Sequence, residues 1–413
     1  MLHARSLAVN ADRNGLWQTS VIACQPARAN MFRRIFGTFV ATFCGTATLR
    51  RLHPGVCAMS ELQRFSPALV QTFIATAFVR VGLPAVDAQI VASLMTDADM
   101  QGSDGHGIIR LLPYITRIEA GGVNVRPNIR VINERAATAH IDGDNGMGHL
   151  VMQRAAKIAI AKAKVAGIAW VGSMHSNHAG PASLYARMAL PEGMLGLYFA
   201  VGNANHLPPW GGLDMLLSTN PIAVAIPAGD EPPIVLDMAT TVTAYGKVKA
   251  KAQRGEKMPE GWMIDRAGNP LLDPKRAAEG LLLPLGGAQA GYKGYGLALV
   301  IGILAGTLNG AAMGKAVIDF NADAVTPTNT GQAIAVIDPG AFGDPQVFRD
   351  NVDTLVHELR NSSRLPGVER IWMPGEQSFE KRAESLRLGV PIAPALCSVL
   401  DALADRLGVP RLA

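Results

Sequence analysis

Between Pro67 and Met100 the apolar residues fall at helical spacing, first Val70, Phe73 and Ala77, then Ile90 and Leu94. Gly82-Leu83-Pro84 interrupts the pattern, which predicts two helices, with Asp87 near the start of the second. A third helix is expected over about 109–120, stopped by Gly121-Gly122. "IRVINERAATAHID" then alternates as paired strands do. The next unit reads as strand ("ATAHID"), glycine loop ("GDNGMGH"), amphipathic helix ("LVMQRAAKIAIAKAKVAG") and buried strand ("IAWVGS"). Further apolar strands are expected in "MLGLYFAVGN", "NPIAVAIPA" and "PPIVLDMAT". The tail adds a strand ("QAIAVID"), a helix near 345–362 and a polar helix pair. The pattern is mixed α/β, with strands concentrated between 125 and 240.

The strand–helix–strand unit invites a Rossmann reading, which its glycines argue against. They stand at 143, 146 and 148, as G-x-x-G-x-G rather than G-x-G-x-x-G, and no acidic residue follows the second strand to hold a ribose.

Charge and cysteine divide the chain in two. Residues 1–58 hold seven Arg, no Lys and one acid, Asp12; the rest carries 31 basic and 32 acidic side chains. The overall charge of +5 therefore belongs to the leader, and nucleic-acid binding is not inferred from it. Cys24, Cys44 and Cys57 also lie there, leaving Cys397 alone in the body, which is read as cytoplasmic and reduced. The leader's apolar run "IFGTFVATFCGTATL" is short for a span, and is read as a signal or transit segment or as sequence upstream of a working start at Met59. The uncharged stretch 294–314, with glycines at 302, 306, 310 and 314, is expected to be a fully buried helix packed through its glycine face rather than a membrane span.

Three stretches carry candidate chemistry. In "DGHGIIRLLPY", Pro113 is compatible with a helix beginning near Ile109; His106 then stands in the loop leading in, ahead of Arg110 and Tyr114. This is either an anion-binding Arg and Tyr beside a titratable imidazole or a turn histidine with a surface arginine. "HSNHAG" (175–180) ends a strand, where α/β folds place ligands. His175 and His178 at i, i+3 admit a zinc site and hence a metal hydrolase, but no third ligand stands at a recognisable spacing. An acid/base histidine oriented by Asn177 suits the spacing better. "GYKGYG" sets Lys293 at the mouth of the apolar helix, suited to a phosphate or carboxylate.

Taken together, "DADMQGSDGHGIIR", "DGDNGMG", "HSNHAG", "PWGG", "STNPIAVAIPAGDEPPIVLDMAT", "PEGWMID", "LPLGG", "KGYGLAL" and "MPGE" resemble, in order, the malate/L-lactate dehydrogenase family that lacks a Rossmann fold. That family includes sulfolactate and ureidoglycolate dehydrogenases, diketogulonate reductase and piperideine-carboxylate reductase. The resemblance covers about Met59 to Gly389. It implies an α/β (mixed α+β) fold with a mixed, largely antiparallel sheet in the cofactor domain. It also implies a homodimer using NAD or NADP on a 2-hydroxy or 2-oxo acid, or on a cyclic imine carboxylate, with no metal, nucleic acid or membrane. Three parts are expected: an extension (1–58), a helical substrate and dimer region (59–135, joined by 325–413) and a cofactor domain (136–324).

By the same resemblance, His106 and His178 match the family's two candidate acid/base histidines, Arg110 its carboxylate-binding arginine and Tyr114 a substrate contact. Cofactor contacts map to Pro233, Ile234, Val235, Leu236, Asp237, Met238, Ala239 and Thr240, then to Tyr292, Lys293, Pro374, Gly375 and Glu376. The chain departs from the family at Gly105, where a serine is frequent, at Ala179, where an aromatic is common, and at Thr241, where serine is usual.

Overall fold

The structure is a computed structural model that describes residues 62–412; the leader and its apolar run lie outside them. After β1 (Gln63–Phe65) come α1 (Pro67–Arg80), α2 (Ala85–Met100) and α3 (Leu111–Glu119). Next are β2 (Arg130–Glu134), β3 (Thr138–Gly146), α4 (Gly148–Ala166), β4 (Ile168–Ser176), the one-turn α5 (Ser183–Ala186) and β5 (Leu195–Ala200). Then follow β6 (Ile222–Ile226), β7 (Ile234–Met238), α6 (Tyr245–Arg254), β8 (Met263–Ile264), β9 (Leu281–Leu282) and α7 (Gly287–Ala305). The chain closes with β10 (Gln332–Ile337), α8 (Pro345–Arg360), α9 (Glu376–Leu388), β11 (Val390–Ile392) and α10 (Pro394–Leu407).

Local chemistry accounts for the helix ends. Ser66 caps α1 by accepting from the Leu69 N–H, and Pro67 stands at its first position, where no donor is needed. Helix α3 starts at Leu111 behind the 3₁₀ turn Ile108–Arg110, so Pro113 falls in its first turn, where the ring removes no hydrogen bond. Helix α4 ends on Gly167 at φ 76°, a left-handed cap.

Seven strands form one sheet in the order β2-β3-β4-β10-β5-β6-β7. Only β3–β4, the pair joined through α4, is parallel; all other neighbours are antiparallel. Alternation along the strands feeds two cores. On one face Ile334, Val336, Ile141 and Val171 pack with Val151, Ala155 and Ala159 of α4; on the other Phe199, Val201 and Ala333 pack with Ile301 and Ala305 of α7. A third core joins α1, α2, α3 and α10 around Phe73, Phe78, Met95, Leu111 and Leu400, with β1 paired to β11.

Two expectations need correction. The segment 325–413 does not join the helical region as a whole: β10 fills the gap between β4 and β5, pairing Ile334 with Val171 on one side and Tyr198 on the other. Its last part, from α9 onward, does return to α1 and α2. Nor is the apolar helix fully buried. The stretch Gly287–Asn309 is long and apolar enough to cross a membrane. It buries Gly294, Ala298, Ile301 and Gly302 but leaves Val300 and Ile303 exposed, as Leu308 is just beyond α7. Its glycines do not form one packing face, because α7 ends before Gly306, and Gly310 and Gly314 take left-handed turn conformations.

Candidate active site

The turn carrying His106 is built on a carboxylate. Asp99, near the end of α2, accepts from the Ile108 N–H at 2.8 Å. A Cβ on Gly107 would lie 1.8 Å from its Oδ1, so only glycine fits there. Burial pushes the Asp99 carboxyl up to about 7, with Asp104 adding to the rise and the Ile108 N–H opposing it. Arg110 closes the 3₁₀ turn and donates through Nε to the Gly105 carbonyl at 2.7 Å. Its terminal nitrogens make no hydrogen bond among the described residues. One helical turn on, Tyr114 is buried in α3.

The second half of the site follows β4. Asp144, Asn145 and His175 all hold left-handed backbone conformations (φ 49–53°), costly for residues with a Cβ. They form the irregular β3–β4 ends, and Asn145 there accepts twice from the Asn177 amide at 2.9 Å. Asn177 also accepts from Thr328 and faces Arg117. Asn177 thus fixes the loop backbone; the group at the His178 ring is Tyr114, with its Oη 2.5 Å from Nδ1. The Gly180 N–H points at the same nitrogen from 3.3 Å.

These two halves meet. The His106 and His178 rings stack at 5.6 Å, 13° from parallel. Burial, then the Arg110 charge, lowers His106 to about 4; burial holds His178 well below the usual imidazole range, with Arg110, His106 and His149 adding to it. Burial also raises the Tyr114 hydroxyl far above its usual value. Phe320, from the loop before β10, lies 5.8 Å from the His178 ring. It brings an aromatic neighbour to His178, where Ala179 offers none. Arg117, fully buried, stacks on Phe320 at 4.9 Å and donates to the Asp323 and Thr326 carbonyls, tying that loop down. His175 stands apart, more than half exposed and paired with Asp142 at 3.0 Å. Among the described residues no three His, Cys, Asp or Glu side chains gather as metal ligands do.

The loop leaving His178 runs on to the sheet edge, where the Ser183 N–H donates to Asp237 on β7 at 2.9 Å. Strand β7 is lined on its free side by Pro374 and Gly375: the Val235 N–H donates to the Pro374 carbonyl at 2.9 Å, and a Cβ on Gly375 would lie 2.8 Å from Val235. At its other end the Thr240 carbonyl accepts from the Leu285 N–H at 2.9 Å, just ahead of α7, whose first turns carry Tyr292 and Lys293. Pro233–Thr240, Pro374-Gly375 and the start of α7 thus form one strip. The Asp237 side chain is exposed, yet the protein around it raises its carboxyl by desolvation, with Ser183 opposing the rise. Glu376 differs from the rest: its carboxylate is buried against Arg360 and Arg370 and accepts from the Met373 N–H. It holds the turn and is not presented to a ligand.

Residues 65–401 match the malate/L-lactate dehydrogenase family. The chain belongs to this family. The malate dehydrogenase of Pyrococcus horikoshii is 40% identical over 346 residues, covering 83% of this chain and 94% of that protein. The L-sulfolactate dehydrogenase of Methanocaldococcus jannaschii is 37% identical over 331 residues, 80% of this chain and 93% of that one. The solved structure of the Pyrococcus horikoshii malate dehydrogenase superposes with a TM-score of 0.78, covering 85% of this chain and 97% of that one, at 37% identity. As a malate/L-lactate dehydrogenase family member, the protein is an NAD(P)-dependent 2-hydroxy acid dehydrogenase, and its non-Rossmann sheet is that of the family.

Sequence reading named His106, Arg110, Tyr114 and His178, which the structure brings together, but not their neighbours Asp99, Arg117, His149 and Phe320. Of these only Asp99 carried a local sign, standing in the same matched block as His106.

Proposed function

We propose that the cluster of His106, Arg110, Tyr114 and His178 is where this dehydrogenase binds and oxidises its 2-hydroxy acid, malate being the first to try. The observation that carries the reading is the stacked imidazole pair, one member held by Tyr114, on the same turn-and-helix unit as an arginine with free terminal nitrogens. Arg110 grips the substrate carboxylate through its planar fork. His178 exchanges the proton of the C2 hydroxyl through Nε2, because its Nδ1 faces Tyr114 and Gly180 and is closed to the substrate. His106, stacked on it, lies against the substrate. Burial keeps both rings neutral, as a base must be before it accepts a proton.

The β7 strip fits a dinucleotide: backbone approached closely by Gly375, an exposed carboxylate at Asp237 for ribose hydroxyls, and Lys293 with the start of α7 for phosphate oxygens. Bound there, NAD or NADP supplies the hydride acceptor or donor for C2. The chain's own part is to fix the substrate carboxylate, hold the hydroxyl against His178 and exclude water around Tyr114 and Phe320.

The test follows the absorbance of reduced nicotinamide with malate, lactate, sulfolactate, ureidoglycolate and a cyclic imine carboxylate, each with both cofactors. Turnover of a 2-hydroxy acid that Arg110→Ala weakens through KM supports the reading, and turnover of the cyclic imine alone overturns it. The family resemblance further supports a cytoplasmic homodimer, for which light scattering gives the mass.

A further inference from the structure

His149, the second residue of α4, is fully buried, and neither of its ring nitrogens has a hydrogen-bond partner. No other side chain among the described residues has two such orphaned atoms. A neutral imidazole always presents one N–H and one lone pair, and leaving both unpaired in the interior costs free energy that Phe or Leu would not. Packing therefore does not explain the choice of histidine.

Its surroundings suggest another reason. Gly148 presses α4 against the Asn177 carbonyl, where a Cβ would lie 2.0 Å away. His149 thereby reaches both partners at the His178 ring. It meets Tyr114 edge-to-face at 5.6 Å and 87°. Its Nε2 faces Gly180, where a Cβ would lie 3.2 Å from it, and the Gly180 N–H points at His178 Nδ1.

With Nδ1 of His178 bare, Tyr114 and the Gly180 N–H donate to it and the ring hydrogen sits on Nε2, which then cannot act as a base. For Nε2 to take the hydroxyl proton, the ring hydrogen must sit on Nδ1. Tyr114 Oη must then accept it, and the tyrosine's own hydrogen needs another acceptor. We propose that His149 is a positioning residue that accepts the Tyr114 hydroxyl hydrogen, and so selects the tautomer of His178 that leaves Nε2 free to act as base. Neither His149 nitrogen makes that bond in the structure, so the imidazole must turn toward Tyr114 to close it, and the long 3.3 Å contact of the Gly180 N–H with Nδ1 is given up when the ring hydrogen sits there. No proton leaves Tyr114 or His149: the substrate proton ends on Nε2 of His178, and the hydride leaves C2 for the cofactor. Burial, with the His106 charge, lowers His149 to about 3, so its lone pair is available at every working pH. His106 and Arg110 are the other charged or titratable groups bearing on His178.

The inference rests on His178 being the acid/base, and the test separates the two. His149→Phe is expected to slow 2-hydroxy acid oxidation at least about tenfold in kcat, part of the ~10²–10⁴ that a general base contributes. Substrate KM should stay within about twofold, and the melting temperature should be unchanged or higher. His149→Gln, which keeps an acceptor, should recover most of the rate. The double variant with Tyr114→Phe should be no slower than Tyr114→Phe alone. A His149→Phe enzyme at full kcat, a His149→Gln enzyme as slow as the Phe variant, or additive losses would overturn the inference. Should His149→Phe not fold, ¹⁵N shifts of His178 in the unaltered enzyme decide: substrate binding should bring the hydrogen to Nδ1, and an Nε2–H ring in that complex refutes it. If His178→Ala retains hydride transfer, the acid/base reading itself fails; if it is inactive while His149→Phe is normal, only the role of His149 does.

Discussion

The two halves of the site are built on opposite physical plans. Tyr114 and His149 are fully buried with His178 half-buried against them, and desolvation holds the three neutral. Along β7, Asp237 and Tyr292 stand open to solvent, and the fixed part is backbone: Val235 bonded to Pro374, Thr240 bonded to Leu285. A proton-transfer group works by its pKa and angle, which burial and neighbours set. A dinucleotide is long and is held by many small contacts, most of which form only when it arrives. Changes in the first region should therefore move kcat and pH dependence, and changes in the second should move cofactor KM.

The largest effect is expected from the imidazole itself. His178→Ala should lower kcat by ~10²–10⁴ with substrate KM little changed, read by steady-state turnover. Next comes the substrate clamp. Arg110→Lys keeps the charge but loses the fork, and a charge-assisted bond of about 2 kcal/mol corresponds to roughly thirtyfold in substrate KM. An unchanged KM would mean that the carboxylate is held elsewhere. Gly107→Ala forces a methyl into the Asp99 carboxylate. It should cost about 1–3 kcal/mol of stability by thermal melting, and it should lower kcat as well by shifting His106.

The dry cluster also predicts a pH signature. His106 has its folded pKa lowered to about 4 from an ordinary 6.5. Its contribution to stability is thus present above pH 6.5 and is lost as pH falls through 4, because the unfolded chain binds the proton first. Melting temperature should decline across that window, and His106→Asn should flatten the decline. Asp99 runs the other way: raised to about 7, its contribution is present below about pH 4 and is lost as pH rises through 7. Asp99→Asn should remove that loss. An oxidation rate falling around pH 6.5 in the free enzyme would show that the imidazoles are wetter than the packing implies.

Much of this was legible because it is local. Apolar spacing marks α1, α2 and α4, and Pro113 fixes where α3 can start, which places His106 ahead of it in a turn. The order of strands was not legible: β10 enters between β4 and β5 because its two faces, Ile334 and Val336 against Ala333, match the cores on either side of the sheet. That match is made only in three dimensions. The same holds for the missed residues. Phe320 and Arg117 join the site through a loop far along the chain from His178. His149 read as the last residue of a glycine loop, until the contact of Gly148 with Asn177 put it behind Tyr114. Gly105 was visible as a departure from the family, and a side chain there would meet nothing within 4 Å. The turn therefore tolerates a serine, and its absence is not forced by packing.

The smallest effect belongs to the open strip and tests the comparison from its other side. Tyr292 is 53% exposed, touching Trp210 edge-on and Lys293 at 5.9 Å. An exposed cation–π contact is worth about 0.5–1 kcal/mol, so Tyr292→Ala should leave melting temperature and kcat unchanged. It should raise the cofactor KM by no more than about fivefold, the change that 1 kcal/mol allows. Paired with Asp237→Asn it should add, because a ligand spread along the strip feels each contact separately. A loss in kcat from Tyr292→Ala would instead place this side chain against the reacting carbon. The open strip and the buried cluster would then be one tightly coupled site, with proton handling and cofactor binding no longer separable by mutation.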